Sequence, residues 1–157
     1  MCHRLPVSAV KLYLDVDGVL LGKDGSLARH ALDFLAFATG RFDCFWLTTH
    51  VREHDTEAVI QHLLQGTPDD LKTALVEAVG AIRPAPWEHW KTDALPDDGD
   101  FRWLDDSPTA TEIDFLRGRG WLGRWLHVDV DEDVDDLLRA QRILRAPSVR
   151  VTGGRRA

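Results

Sequence analysis

Hydrophobic positions follow two rhythms along this chain. Short apolar runs of strand length alternate with stretches in which apolar residues recur every three or four positions, the spacing of one helix face. The first run, Val10-Lys11-Leu12-Tyr13-Leu14, leads into Asp15 and predicts a strand over Val10 to Asp15. A glycine-punctuated segment, Gly18 to Gly25, predicts a turn or small hairpin. Ser26 reads as the N-cap of a helix whose inner face is Leu27, Ala31, Phe34, Leu35 and Ala38, with Gly40 as its stop. A second strand is expected over Cys44 to Leu47, ending in Thr48-Thr49-His50. Two helices follow. One runs from about Asp55, with Val59, Ile60, Leu63 and Leu64 inward and Gly66 and Pro68 ending it; the other starts near Asp69, with Leu71, Ala74, Leu75 and Ala78 inward, and closes at Gly80.

The second half repeats the alternation. Ile82 to Trp87 reads as an edge strand, because Pro84 and Pro86 exclude a central one. A short helical stretch is expected over Glu88 to Leu95, a polar loop over Pro96 to Asp100, and a strand over Phe101 to Leu104 that ends in Asp105-Asp106-Ser107-Pro108. Ser107 reads as a cap and Pro108 as the first turn of the next helix. Trp125 to Val128 gives the last strand. The last helix is expected to start in the acidic turn Asp131-Glu132-Asp133 and to use Val134, Leu137, Leu138 and Leu144 as its apolar face, with Pro147 after it.

Strands alternating with helices imply parallel pairing and right-handed crossovers. The expected fold is a three-layer α/β/α sandwich around a mainly parallel, Rossmann-like sheet. No internal repeat or linker divides the 157 residues, so one domain is expected, with a core over about 9–146 and a basic tail over 147–157 carrying Arg150, Arg155 and Arg156.

Composition narrows the function. A net charge of -7 weighs against a general nucleic-acid or anionic-membrane binder. No apolar run reaches membrane-spanning length, and Met1 to Pro6 has no signal-peptide pattern, so a cytoplasmic protein is expected. Cys2 and Cys44 form neither a disulfide framework nor a metal-ligand spacing, and Cys44 reads as a small buried residue. The seven histidines suggest no metal cluster. His50 and His54 are four apart, but the order His50-Val51-Arg52-Glu53-His54 is not HExxH. His50 is expected at the rim of a cleft, and His127 as part of the last strand. The tryptophans are expected in the core, with Trp87 and Trp90 walling the site around Lys91.

In parallel sheets, ligands bind at the carboxyl ends of the strands. Asp15 and Asp17, Thr48 and Thr49, and Asp105 and Asp106 all fall at such ends. Asp15 and Asp17 are two apart and can aim the same way where the strand ends. Convergent carboxylates need a proton or a cation between them, and Mg2+ favours oxygen ligands.

Together these residues resemble the haloacid dehalogenase-like superfamily of phosphohydrolases. Asp15-Val16-Asp17-Gly18-Val19-Leu20 is similar to the first motif, Phe45-Trp46-Leu47-Thr48 to the second, Lys91 to the lone lysine of the third and Trp103-Leu104-Asp105-Asp106 to the fourth. The resemblance spans residues 10 to about 130. It implies a Mg2+-dependent phosphatase with Asp15 as nucleophile and Asp17 as general acid and then base. It sets Thr48, Thr49, Gly18 and Lys91 around the phosphate, and Mg2+ on Asp15 and Asp105, with Asp106 either a further ligand or a support behind them and the Asp17 carbonyl as a further contact. Thr48 is preferred to Thr49 as the motif hydroxyl, because it directly follows the apolar run. Of the four lysines, Lys91 is preferred to Lys72, which sits beside a helix stripe. The region between Thr49 and Lys91 has room for two helices that the core itself needs, so little or no cap is expected. An open cleft suits a phosphorylated substrate that can be macromolecular, such as a phosphoprotein; nucleic acid is disfavoured by charge. Phosphoryl transfer to another acceptor, and a regulatory module with an idle site, are the alternatives.

Overall fold

The structure, a computed structural model, describes residues 10–51, 55–97 and 99–146. Five strands form one all-parallel sheet: β1 (Lys11–Leu14), β2 (Asp43–Trp46), β3 (Arg83–Pro84), β4 (Phe101–Asp105) and β5 (Trp125–His127). Their order is β3-β2-β1-β4-β5, so β1 lies at the centre, with Leu14 beside Trp46 on one side and Leu104 on the other. The helices are α1 (Ala31–Arg41), α2 (Glu57–Gln65), α3 (Lys72–Val79), α4 (Ala110–Gly118) and α5 (Asp136–Arg145). This is the α/β, Rossmann-like architecture expected from the alternation. None of the described helices is long and apolar enough to cross a membrane.

Strand alternation sends successive side chains to opposite faces, and each face has its own core. Leu12, Leu14, Cys44, Trp46 and Leu104 pack with Phe34 and Leu35 of α1, Val59 and Leu63 of α2, Leu75 and Val79 of α3, and Leu137 of α5. Tyr13, Leu47, Phe101 and Trp103 pack on the other face with Leu116 of α4 and, at the margin, Trp87, Trp121 and Trp125. The two helices between Thr49 and Lys91 therefore belong to the first core.

Several boundaries differ from the sequence reading. Ser26 caps no helix. Its hydroxyl donates to Asp24 at 2.6 Å, while the next residue, Leu27, bridges Leu21 and donates its N–H to the Gly66 carbonyl. The backbone of 16–28 is used in a tight flap, so α1 waits until Ala31. Gly40 lies inside α1 rather than ending it; Phe42 closes the helix by donating to Ala38. Only Arg83–Pro84 of the expected edge strand pairs with β2. The helical stretch over Glu88 to Leu95 shrinks to one 3-10 turn, Lys91–Ala94. α4 is capped by Thr109 rather than Ser107. α5 begins at Asp136, because residues 131–135 are held in turns, and Val134 is 55% exposed instead of lining the core. Pro147 and the arginine tail lie outside the described residues, as does His54.

Candidate active site

Asp15 follows the last residue of β1, and Asp105 is the last residue of β4. Because these two strands are neighbours in parallel register, their carboxyl ends coincide and both carboxylates emerge at one point. Both residues are buried. Lys91 reaches them from the 3-10 turn: its Nζ lies 2.6 Å from Asp105 Oδ2 and 3.3 Å from Asp15 Oδ2, and its side chain is only 13% exposed. The other Asp105 oxygen accepts from the Ser107 N–H at 2.9 Å.

Asp106 completes the group. One carboxylate oxygen from each of Asp15, Asp105 and Asp106 lies within 4.8 Å of the others, the arrangement of a site able to hold a cation. Gly18 makes this closeness possible. Its φ is +79°, and a Cβ there would meet Asp106 Oδ2 at 2.3 Å. The Gly18 carbonyl accepts from Val130 N–H at 2.9 Å, tying the flap to the segment after β5.

The electrostatics follow from burial and like charge. Burial, then the Asp105 carboxylate, pushes the Asp15 carboxyl up to about 7 against the opposing pull of Lys91. Asp106 is raised by the same two causes. Lys91 is raised by Asp15 and Asp105 despite its burial. Three acidic groups thus face one ammonium, and a divalent cation would balance the remainder. The ligand set is all oxygen, which suits a hard ion.

Asp17 stands apart from this triad. Its carboxylate is 57% exposed, and its two oxygens lie 2.7 Å from His50 Nε2 and 2.8 Å from His62 Nε2. Burial opposes ionisation here, but the two imidazole hydrogen bonds outweigh it and hold the carboxyl below its ordinary value. Asp17 therefore enters no metal set with the triad through its carboxylate; the carbonyl contact implied by the family resemblance is a separate matter. The expectation that histidines form no metal cluster is corrected by the same geometry, since Asp17, His50 and His62 bring ligand atoms within 4.8 Å of one another.

The two threonines divide their surroundings. Thr48 is fully buried; its Oγ1 accepts from the His50 N–H and its carbonyl from Trp87 Nε1. Thr49 is exposed and lines a cavity of about 370 Å³ together with Asp15, Asp17, Lys91, Asp105 and Asp106. Trp87, His89 and Trp90 form an aromatic wall of that cavity, and Trp90 is 42% exposed.

Two site residues escaped the sequence reading. Glu112 is buried and joins two segments, the start of α4 and the 3-10 turn: one oxygen accepts from Thr109 N–H at 2.9 Å and the other from Lys91 N–H at 2.7 Å. Its signal was the capping box Thr109-Ala110-Thr111-Glu112. His62 gave no local signal, because it meets Asp17 only through the packing of α2.

Matched against models of known protein families, against curated proteins and against solved structures, the chain gives no match. The fold and the geometry of the site are what its function must be argued from.

Proposed function

We propose that this chain is a Mg2+-dependent phosphatase that hydrolyses a phosphate monoester through an aspartyl-phosphate on Asp15. The observation that carries this reading is the buried meeting of Asp15, Asp105 and Asp106 around Lys91 at the carboxyl end of a parallel sheet. The motif resemblance to haloacid dehalogenase-like phosphohydrolases, which rests on the same residues, agrees with it.

In the first half of the reaction, an Asp15 carboxylate oxygen forms a bond to phosphorus while the ester P–O bond breaks. The departing oxygen takes a proton from Asp17. In the second half, water attacks phosphorus, Asp17 recovers a proton from that water, and the bond between phosphorus and Asp15 breaks to release phosphate. Asp17 is placed for an exchange of this kind, since it lines the cavity, meets solvent and hydrogen-bonds two imidazoles. Lys91 offsets the charge of nucleophile and phosphate. Asp15, Asp105 and Asp106 would hold Mg2+; when bound, it screens the anionic nucleophile from the anionic phosphate. Thr49, on the cavity wall, is the better-placed hydroxyl for the phosphate, and Thr48 supports the turn that carries it. Nothing in the described fold sets a second unit over this cavity, so a bulky phosphorylated substrate is accommodated.

The test is hydrolysis of p-nitrophenyl phosphate with and without Mg2+, beside Asp15→Asn. Hydrolysis that requires Mg2+ and disappears in the variant supports the reading. Equal turnover in Asp15→Asn overturns it.

A further inference from the structure

We infer that Asp17, His50 and His62 form a second cation site, selective for a borderline transition ion such as Zn2+, whose occupancy switches hydrolysis off. The three residues come from separate segments: Asp17 from the turn after β1, His50 from the turn after β2, and His62 from α2. Their packing directs both imidazole Nε2 atoms at the same carboxylate, one to each oxygen. The rings stack with centroids 4.0 Å apart and planes 28° apart, and both Nε2 atoms face the Asp17 carboxylate. Two imidazoles and one carboxylate are a zinc-type donor set with a position left for water.

Donor chemistry separates this site from the acidic triad. Nitrogen donors favour Zn2+, Co2+, Ni2+ and Cu2+ over Mg2+, whereas three carboxylates favour the hard ion. The ligands are accessible: His50 and His62 side chains are 30% and 31% exposed. Zinc bonds of about 2.0–2.1 Å need ligand atoms on the order of 3.3 Å apart. The observed contacts of 2.7 and 2.8 Å are shorter and the two rings are stacked, so the ion enters as Asp17, the most exposed of the three, rotates outward and the two imidazoles splay to bring both Nε2 atoms onto it.

The inhibitory half of this inference rests on the proposed role of Asp17. A carboxylate coordinated to Zn2+ has its lone pairs engaged and cannot deliver or recover a proton at the substrate.

Calorimetric titration of Zn2+ into the full chain, with Mg2+ in excess, tests the binding. One Zn2+ site is expected, weakened at least about ten-fold by His62→Gln and by His50→Gln and unaltered by Asp106→Asn. Circular dichroism shows whether each variant keeps its fold, and Co2+ gives a second readout through visible absorption bands that both histidine variants lose. Absence of binding, binding indifferent to both histidines, or equal weakening by Asp106→Asn overturns the site. In the p-nitrophenyl phosphate assay, Zn2+ should inhibit the wild type, and His62→Gln should need at least about ten-fold more Zn2+ for the same fractional inhibition. Zinc bound at the histidines without inhibition overturns the regulatory half. No hydrolysis at all counts against the phosphatase reading and leaves the calorimetric test of the site intact.

Discussion

Asp15 is a carboxyl that its surroundings make reluctant to ionise. Its carboxyl is pushed up to about 7, first because it is buried and then because Asp105 faces it. The sign follows directly. A folded-state value above the unfolded one means that the native state binds more protons between about pH 4 and pH 7. Stability from this group is fully present below pH 4 and is lost as pH rises towards 7. A cation in the triad replaces the proton, so Mg2+ binding should release protons most strongly below pH 7 and weaken as pH falls. Calorimetry in buffers of different ionisation enthalpy reads this release; binding without proton release at pH 6 would contradict the assigned ligand. Lys91 is the counterpart. Lys91→Met leaves buried acidic groups without their cation, a change that costs about 3 kcal/mol when one partner of a buried pair is lost. The loss should be larger at pH 8 than at pH 5, where protonation relieves the repulsion, and urea unfolding at the two pH values measures it. Gly18→Ala acts on the same group by shape: its Cβ would strike the Asp106 carboxylate and its φ of +79° disfavours any side chain. It should destabilise the fold by about 1–3 kcal/mol and lower Mg2+ affinity together.

At the scale of elements, α4 does more than cover one face of the sheet. Its first turn holds Glu112, whose two oxygens secure the α4 cap and the backbone of Lys91. Thr109→Ala should cost about 1 kcal/mol by removing the cap alone. Glu112→Ala removes both anchors and leaves the partly buried Lys91 N–H without its acceptor, so it should cost more and also lower turnover by loosening Lys91. Thermal unfolding and the p-nitrophenyl phosphate assay separate the two; equal stability loss with unchanged turnover would show that Glu112 does not position Lys91. The strands and their carboxyl-end acids were legible because apolar runs of four or five residues stopped abruptly at Asp15 and Asp105. Helix starts were less so. Ser26 and Ser107 have the chemistry of caps, but the flap backbone claimed the first, and the Thr109–Glu112 box outcompeted the second.

Across the whole molecule, the parallel sheet sets β4, which ends in Asp105, beside the central strand β1, which leads into Asp15, and the site is a consequence of that order. The triad was legible in sequence because each of its residues follows or ends a strand whose neighbours the alternation already implies, whereas Lys91, in the 3-10 turn before β4, was legible only through the motif resemblance and its position ahead of the fourth motif. The Asp17–His50–His62 group was not, because its members are joined by tertiary packing of α2 rather than by spacing. Both cores meet on β1, with Leu12 and Leu14 on one face and Tyr13 on the other. Unfolding followed by tryptophan fluorescence and by far-ultraviolet circular dichroism should therefore give coincident transitions.

The most direct test of the central claim is a mass measurement of the Asp15-containing peptide after acid quenching of the protein during turnover of p-nitrophenyl phosphate with Mg2+. A phosphoryl adduct on Asp15 is expected, missing without Mg2+ and in Asp15→Asn. Turnover that proceeds in Asp15→Asn, or an adduct carried by another residue, would contradict it.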